Sequence, residues 1–296
     1  MSFLGRILNR ESQHLEGAPL DALQALPSPS RHDLQIGLAS DPGQVRERNE
    51  DACLAWQFVL AQDGEPPAPM GLFIVADGMG GHVLGAQASA LATRTAARYV
   101  LRHIVLALVS EDSEATDRPP IREVLSASVR LAHQAILHRC PEAGTTMTMA
   151  LLLGNSLYVT HVGDSRAYVG QRGKIQLLTR DHSLAARLLD VGQITPEEAA
   201  AQRNVLYKAL GQGAEIEPDI LCHDLLPGQY LLLCCDGLWG QVSDEAMAAI
   251  VEAAPTPDLA CQHLVAEANQ HGGEDNISVI LAARGWPLPG GEPKMP

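Results

Sequence analysis

Apolar positions along the chain fall into two kinds of run. Short unbroken ones at Leu72 to Ala76, Met147 to Leu153, Leu157 to Val162, Leu231 to Cys235 and Ile277 to Leu281 have the length and content of buried strands. Gly154-Asn155 joins two of them as a turn. Gln171-Arg172-Gly173 joins a strand at Arg166 to Gly170 with another at Lys174 to Leu178. Turns that short require antiparallel pairing. The longer runs read as helices. Leu84 to Val109 is rich in Ala and Leu, with no Pro and no Gly after Gly85, and Ile121 to Arg139 follows Pro119-Pro120. Ser183 caps a predicted helix that ends at Gly192. Thr195-Pro196-Glu197-Glu198 is a capping box with Pro at the first helical position, and Thr256-Pro257-Asp258 opens another helix. Strands group with strands and helices stand in separate runs, which predicts an α+β fold, a layered α/β sandwich, rather than parallel βαβ units.

Acidic residues sit at the ends of these strands. Asp77-Gly78-Met79-Gly80-Gly81 follows the first run, Asp236-Gly237-Leu238-Trp239 follows Cys235, and Asp275-Asn276 precedes Ile277. A carboxylate is costly to bury unless it is paired or holds a metal. Antiparallel pairing of these strands would bring the acids to one sheet edge, where together they suggest a site for hard divalent cations such as Mg²⁺ or Mn²⁺. Two such ions can bridge and acidify a water beside a phosphorus atom. Asp77 is assigned the bridging role, and Gly78 lets a backbone carbonyl approach without a Cβ in the way. A phosphate substrate also needs a cationic clamp. Arg46 is the candidate, directly upstream of Glu50 and Asp51.

Composition narrows the class. The 296 residues, 46% hydrophobic and 19% charged, suffice for a large core, and the net charge of −14 argues against a nucleic-acid partner. No apolar run approaches the roughly 18 residues of a membrane span. Met1 to Arg10 lacks the apolar stretch of a secretory signal, and the six cysteines form no CxxC pair, so a reducing cytoplasm is the expected setting. Residues 1–32 read as a flexible leader, 33–284 as one domain and 285–296 as a flexible tail. No long heptad pattern appears, and a monomer is expected.

The chain resembles the bacterial metal-dependent, type 2C (PPM family) serine/threonine protein phosphatases. The blocks that carry the resemblance stand in the family's order: Val45-Arg46-Glu47-Arg48-Asn49-Glu50-Asp51, Asp77-Gly78-Met79-Gly80-Gly81-His82, Gly144-Thr145-Thr146, Val162-Gly163-Asp164-Ser165-Arg166, Asp236-Gly237-Leu238-Trp239 and Glu274-Asp275-Asn276-Ile277-Ser278. The resemblance implies two central antiparallel β-sheets flanked by pairs of helices, with a metal cleft at one end. It implies that Asp77 bridges two ions, Mn²⁺ or Mg²⁺, and that Gly78 supplies its carbonyl. Asp236 and Asp275 complete one ion, while Glu50 serves the other, directly or through water, and Asp51 holds metal-bound water. Many bacterial members take a third ion, for which Asp164 and Asp236 are the matching positions. Arg46 would hold the phosphate while a metal-bridging hydroxide attacks it. The implied substrates are phosphorylated proteins, opposing a cognate serine/threonine kinase, and residues 182–212 correspond to the family's flap, expected to shape protein-substrate choice.

One position departs from the animal pattern, which carries His directly after the first Asp-Gly. Here it is Met79, as in bacterial members. His82 is a candidate substitute as general acid, against the plainer reading of a His hydrogen-bonding locally at a helix start. Asp181, in Thr179-Arg180-Asp181-His182, reads as a turn or cap residue. Gly163-Asp164-Ser165-Arg166-Ala167 misses the last Gly of a serine-hydrolase elbow, and no GxxxxGK[ST] loop is present. The rival from another class is a catalytically inactive phosphoprotein-binding scaffold. A missing metal carboxylate would favour it, and none is missing.

Overall fold

The structure, a computed structural model, describes residues 34–62, 65–80, 83–109, 119–195, 198 and 205–286. The predicted leader, nearly all of the tail, His82 and the helix body after Thr195 lie outside the described residues. The capping box itself is formed: Thr195 N–H donates to Glu198 Oε2 at 2.8 Å and Glu198 N–H to Thr195 Oγ1 at 3.3 Å.

Two five-stranded antiparallel sheets form the centre. The first is ordered β1 (Leu34–Asp41), β12 (Ile277–Arg284), β11 (Tyr230–Cys234), β8 (Arg166–Gln171), β9 (Lys174–Leu177). The second is ordered β10 (Asp219–Asp224), β7 (Ser156–Val162), β6 (Met147–Leu153), β3 (Glu65–Ala76), β2 (Ala52–Gln62). A short pair, β4 (Gly78–Met79) with β5 (Gly144–Thr145), extends beyond β3. Both sheets are covered on both faces, which is why their inner strands are unbroken apolar runs rather than alternating ones. Phe73, Val75, Ala150, Leu152, Leu231, Leu233, Ile280 and Ala282 fill the layer between the sheets. Their sequence neighbours Leu72, Ile74, Met149 and Leu151 point outward, under α1 (Val83–Val100) and α3 (Ile121–Arg139). On the opposite side Leu232, Cys234, Val279 and Leu281 meet α6 (Asp244–Ala253) and α7 (Pro257–Gln270). The layers therefore stack helix, sheet, sheet, helix, as expected.

The predicted helix from Leu84 to Val109 is interrupted. After Val100 the chain makes a π turn at Leu101–Val105 before α2 (Leu106–Val109). Ser183 caps α4 (Leu184–Asp190), its hydroxyl accepting from Ala186 N–H, and Gly192 takes φ +68° just beyond. Thr256 caps α7, with Pro257 at its start. A short α5 (Asp236–Trp239) begins at the acid after β11. Asp181 is not a cap. It forms a two-pronged ion pair with Arg166, Nε to Oδ1 at 3.0 Å and Nη2 to Oδ2 at 2.8 Å, and both side chains are largely buried. A buried carboxylate needs a partner, and Arg166 on the neighbouring strand supplies it. All six cysteines are free. Among the described residues no helix is long and apolar enough to cross a membrane.

Candidate metal and phosphate site

Strand order decides how the acids meet. Cys234 pairs with Val279, so Asp236 and Asp275 leave the first sheet side by side at one end. Asp77 does not share that sheet edge, contrary to the simplest expectation. It leaves β3 of the second sheet, and the acids gather across the sandwich rather than along one sheet. Arg46, Glu50, Asp77, Gly78, Asp164, Asp236 and Asp275 all line one cleft of about 580 Å³, with Met79, Thr146, Val205 and Leu206 at its walls. Asp51 lies beneath it, both carboxylate oxygens covered.

Backbone contacts hold these residues in place. Asp77 N–H donates to Thr146 Oγ1 at 2.9 Å, and its carbonyl accepts from Thr145 Oγ1 at 2.7 Å and Thr146 N–H at 2.9 Å. Asn276 Oδ1 accepts from Glu50 N–H at 2.8 Å, while its amide donates to the Pro42 and Arg48 carbonyls, each at 2.9 Å. Asn276 thus pins the Arg46–Glu50 loop to the start of β12, and Ser89 Oγ–H on α1 holds the Glu50 carbonyl at 2.6 Å. Thr146 and Asn276 had no role in the sequence reading. Their only signal is that each is a polar residue inside a block of chemistry-bearing ones.

Electrostatics show what the site is suited to hold. Burial raises the pKa of Asp77 well above the carboxylate range, and Asp51, Asp236, Asp164 and Asp275 add to it. Burial, then Asp275, also raises Asp236. Asp164 is pushed up to about 8 by burial, with Asp236 and Asp181 adding. Asp51 is pushed up to about 7 by burial, against a weaker pull from Ser278 and Cys235. Neither neighbour completes a hydrogen bond to Asp51, and Asp236 Oδ1 is likewise covered without a partner. Among the described residues no three acids already converge tightly enough to grip an ion. Asp275 is turned to Arg46 instead, at 2.7 Å. Oxygen donors that repel one another and have unpartnered, covered lone pairs fit hard divalent cations.

Two glycines make close approaches here. A Cβ on Gly78 would meet the carbonyl oxygens of Gly85 at 2.3 Å and Glu50 at 2.5 Å, both rigid backbone. A Cβ on Gly85 would first meet Glu50 Oε2, at 2.0 Å, the far end of a flexible side chain, and then Glu50 Cδ and the Gly78 backbone carbon, each at 3.1 Å. Gly78→Ala is therefore expected to cost about 1–3 kcal/mol, read as a lower melting temperature. Gly85→Ala should cost less than Gly78→Ala, because its closest contact, the Glu50 carboxylate, can swing aside while the Gly78 backbone at 3.1 Å must give only slightly. Equal melting temperatures for the two variants would contradict this account of the packing.

Comparison with known proteins agrees with this geometry. Residues 45–269 match the family model described as protein phosphatase 2C. The chain is 36% identical over 259 residues to the serine/threonine protein phosphatase PstP of Mycobacterium tuberculosis, covering 84% of this chain but only 45% of that relative's length. It is 34% identical to the serine/threonine phosphatase stp of Listeria monocytogenes, covering 83% of this chain and 94% of the relative. Among solved structures, the catalytic domain of PstP in complex with two manganese ions superposes with a TM-score of 0.66 at 33% identity, covering 84% of this chain and 97% of that one.

Proposed function

The chain belongs to the protein phosphatase 2C family, and we propose that it hydrolyses phosphoserine and phosphothreonine on proteins in a metal-dependent reaction. The observation that carries this reading is the set of covered, mutually repelling carboxylates beside one arginine in a single cleft. We assign residues 33–284 as the catalytic domain. Bound Mn²⁺ or Mg²⁺ would neutralise phosphate charge and activate a water for attack. Asp77 would bridge two ions, with Gly78 supplying its carbonyl. Asp236 and Asp275 would complete one ion, Glu50 would serve the other, directly or through water, with Asp51 holding metal-bound water, and Asp164 with Asp236 would take a third. These donors are all oxygen, which favours hard cations over soft ones. Arg46 reaches Asp275 at 2.7 Å, and Asp275, Glu50 and Asp77 outweigh the effect of burial to hold its pKa above the ordinary value. With Asp275 engaged as a metal ligand, the Arg46 guanidinium would be available to orient a phosphate.

Arg46→Ala is expected to lower kcat/KM on a phosphothreonine peptide by about 10²-fold, as loss of one preorganised donor does, with Mn²⁺ stoichiometry unchanged. An unchanged kcat/KM would refute the phosphate-binding role.

Residues 182–212 form the flap in this reading. Val205 and Leu206 line the cleft, while Leu184, Leu189, Val191 and Tyr207 expose apolar surface nearby, suited to contact with a protein substrate. Exchanging residues 186–204 for another flap should change rates on phosphoproteins by about tenfold, the energy of one or two apolar side-chain contacts, and rates on p-nitrophenyl phosphate far less. Equal losses on both would sink the specificity role. Six free cysteines fit a reducing compartment, so we place the protein in the cytoplasm, acting as a monomer against serine/threonine kinases.

A further inference from the structure

His182 was not among the site residues read from the sequence, yet its side chain and main chain join the base of the flap to Gly163, Tyr207 and Asp219. It is almost fully buried, at 2% exposure. Its main-chain N–H donates to the Gly163 carbonyl at 2.7 Å, and Gly163 N–H donates back to His182 Nδ1 at 3.1 Å. Its own carbonyl accepts from Tyr207 N–H at 2.9 Å, on the far side of the flap. The other ring nitrogen, Nε2, lies 3.2 Å from Asp219 Oδ2, and Asp219 Oδ1 accepts from Lys208 Nζ at 2.8 Å. The ring packs against His161 and Tyr207, with centroids 4.8 and 5.6 Å away.

These contacts fix the state of the ring. A backbone N–H can only donate, so Nδ1 carries no proton. The proton sits on Nε2 and points at Asp219. Burial lowers the pKa of His182 below its ordinary value, against the opposing pull of Asp219, in keeping with a neutral ring. A neutral imidazole of one tautomer is thus gripped by Asp219 on one side and grips Gly163 on the other.

Gly163 is the residue before Asp164. It has φ +107°, and a Cβ there would strike the Thr146 side chain at 2.6 Å. The turn therefore has a shape only glycine adopts readily, and both of its main-chain polar groups are bonded to His182. From α5, Trp239 Nε1–H holds the Asp164 carbonyl at 3.0 Å, and from β6, Thr148 Oγ1–H holds that of Ser165 at 2.8 Å. Asp164 is fixed on both sides, and the His182 side is the one joined to the flap.

We propose that His182 is a positioning residue that ties the flap's base, through Asp219 and Lys208, to the Gly163–Asp164 turn, so that an ordered flap base holds the Asp164 carboxylate in place for a cation. The inference rests on the reading of Asp164 as a metal ligand. Outer partners that orient a ligand change metal affinity without touching the metal.

The test is a calorimetric Mn²⁺ titration of the full chain and of Asp164→Asn, His182→Ala, His182→Asn and Asp219→Ala. Asp164→Asn should lose one class of bound Mn²⁺. His182→Ala should weaken that same class by about tenfold, in the range seen for outer partners of metal ligands, and leave the other classes unchanged. His182→Asn should recover most of the loss, because its Oδ1 can accept from Gly163 N–H where Nδ1 did. Asp219→Ala, at a half-exposed position, leaves the core intact and should weaken the class in the same direction. It decides the matter if His182→Ala does not fold. Wild-type titrations from His182→Ala or Asp219→Ala, while Asp164→Asn loses its class, would overturn the role of His182 alone. Uniform weakening of every class by His182→Ala, with no recovery in His182→Asn, would also overturn it and reduce His182 to a packing residue. A wild-type titration from Asp164→Asn would refute the metal-ligand reading and remove the inference with it.

Discussion

Asp236→Asn is expected to abolish metal-dependent phosphate release and, at the same time, to make the metal-free protein more stable. Asp236 is half-buried with Asp275 and Asp77 as acidic neighbours, and desolvation and Asp275 together raise its pKa. One of its oxygens is covered with no hydrogen bond. Without cations, that arrangement is a net cost to the fold. An amide of the same shape removes the charge, and its NH₂ can donate to the neighbouring carboxylates. A gain of about 1–2 kcal/mol corresponds to about 2–8 °C in melting temperature for a domain of this size. The same change removes a charged ligand that the proposed reaction shares between ions, and phosphate release should fall by about 10³-fold or more. A variant that melts lower than its parent in EDTA and still releases phosphate would contradict both halves of the account.

The second large effect is a divergence of stability with pH. Asp51 and Asp164 stand at about 7 and about 8 in the metal-free fold, against about 3.9 in an unfolded chain. Between those values the folded state binds more protons than the unfolded one, so metal-free stability falls as pH rises. With Mn²⁺ the sign reverses, because ligation needs the deprotonated acids and strengthens with pH. The comparison belongs between pH 7 and 8.5. His161, pushed down to about 3 by burial, and His182 cost stability only when pH drops through the ordinary histidine range. Melting temperatures in EDTA should decline across that window. Saturating Mn²⁺ at about 100 times its Kd adds about 2.7 kcal/mol, or about 5–10 °C, and the gap should widen towards pH 8.5. Parallel curves would mean that the acids do not carry the metal-free cost assigned to them.

Much of this arrangement was legible in the residues, for reasons that differ from element to element. β11 and β12 stood out because both their faces are buried, which leaves no polar position to break the run. α7 announced itself through Thr256 and Pro257. The acids were legible because a carboxylate beside a buried strand is expensive without a function. β1 and β2 were missed. They are edge strands, and β2 exposes Trp56 and Val59, so neither shows an unbroken apolar run. The assignment of Asp77 to the opposite sheet was also out of reach, since strand pairing between distant segments leaves no local pattern. The same holds for Asp181 with Arg166 and for Arg46 with Asp275, partners 229 residues apart. His182 stood in plain view within Thr179-Arg180-Asp181-His182. Its bonds to Gly163 and Asp219 join residues 19 and 37 positions away in sequence, and exist only once the chain has folded.

The most direct test of the central claim is phosphate release from a phosphothreonine peptide by the full chain after EDTA treatment, before and after Mn²⁺ is restored. The account predicts no release in EDTA and full recovery with Mn²⁺. Release that persists in EDTA, or its absence from folded protein with Mn²⁺ restored, would contradict it.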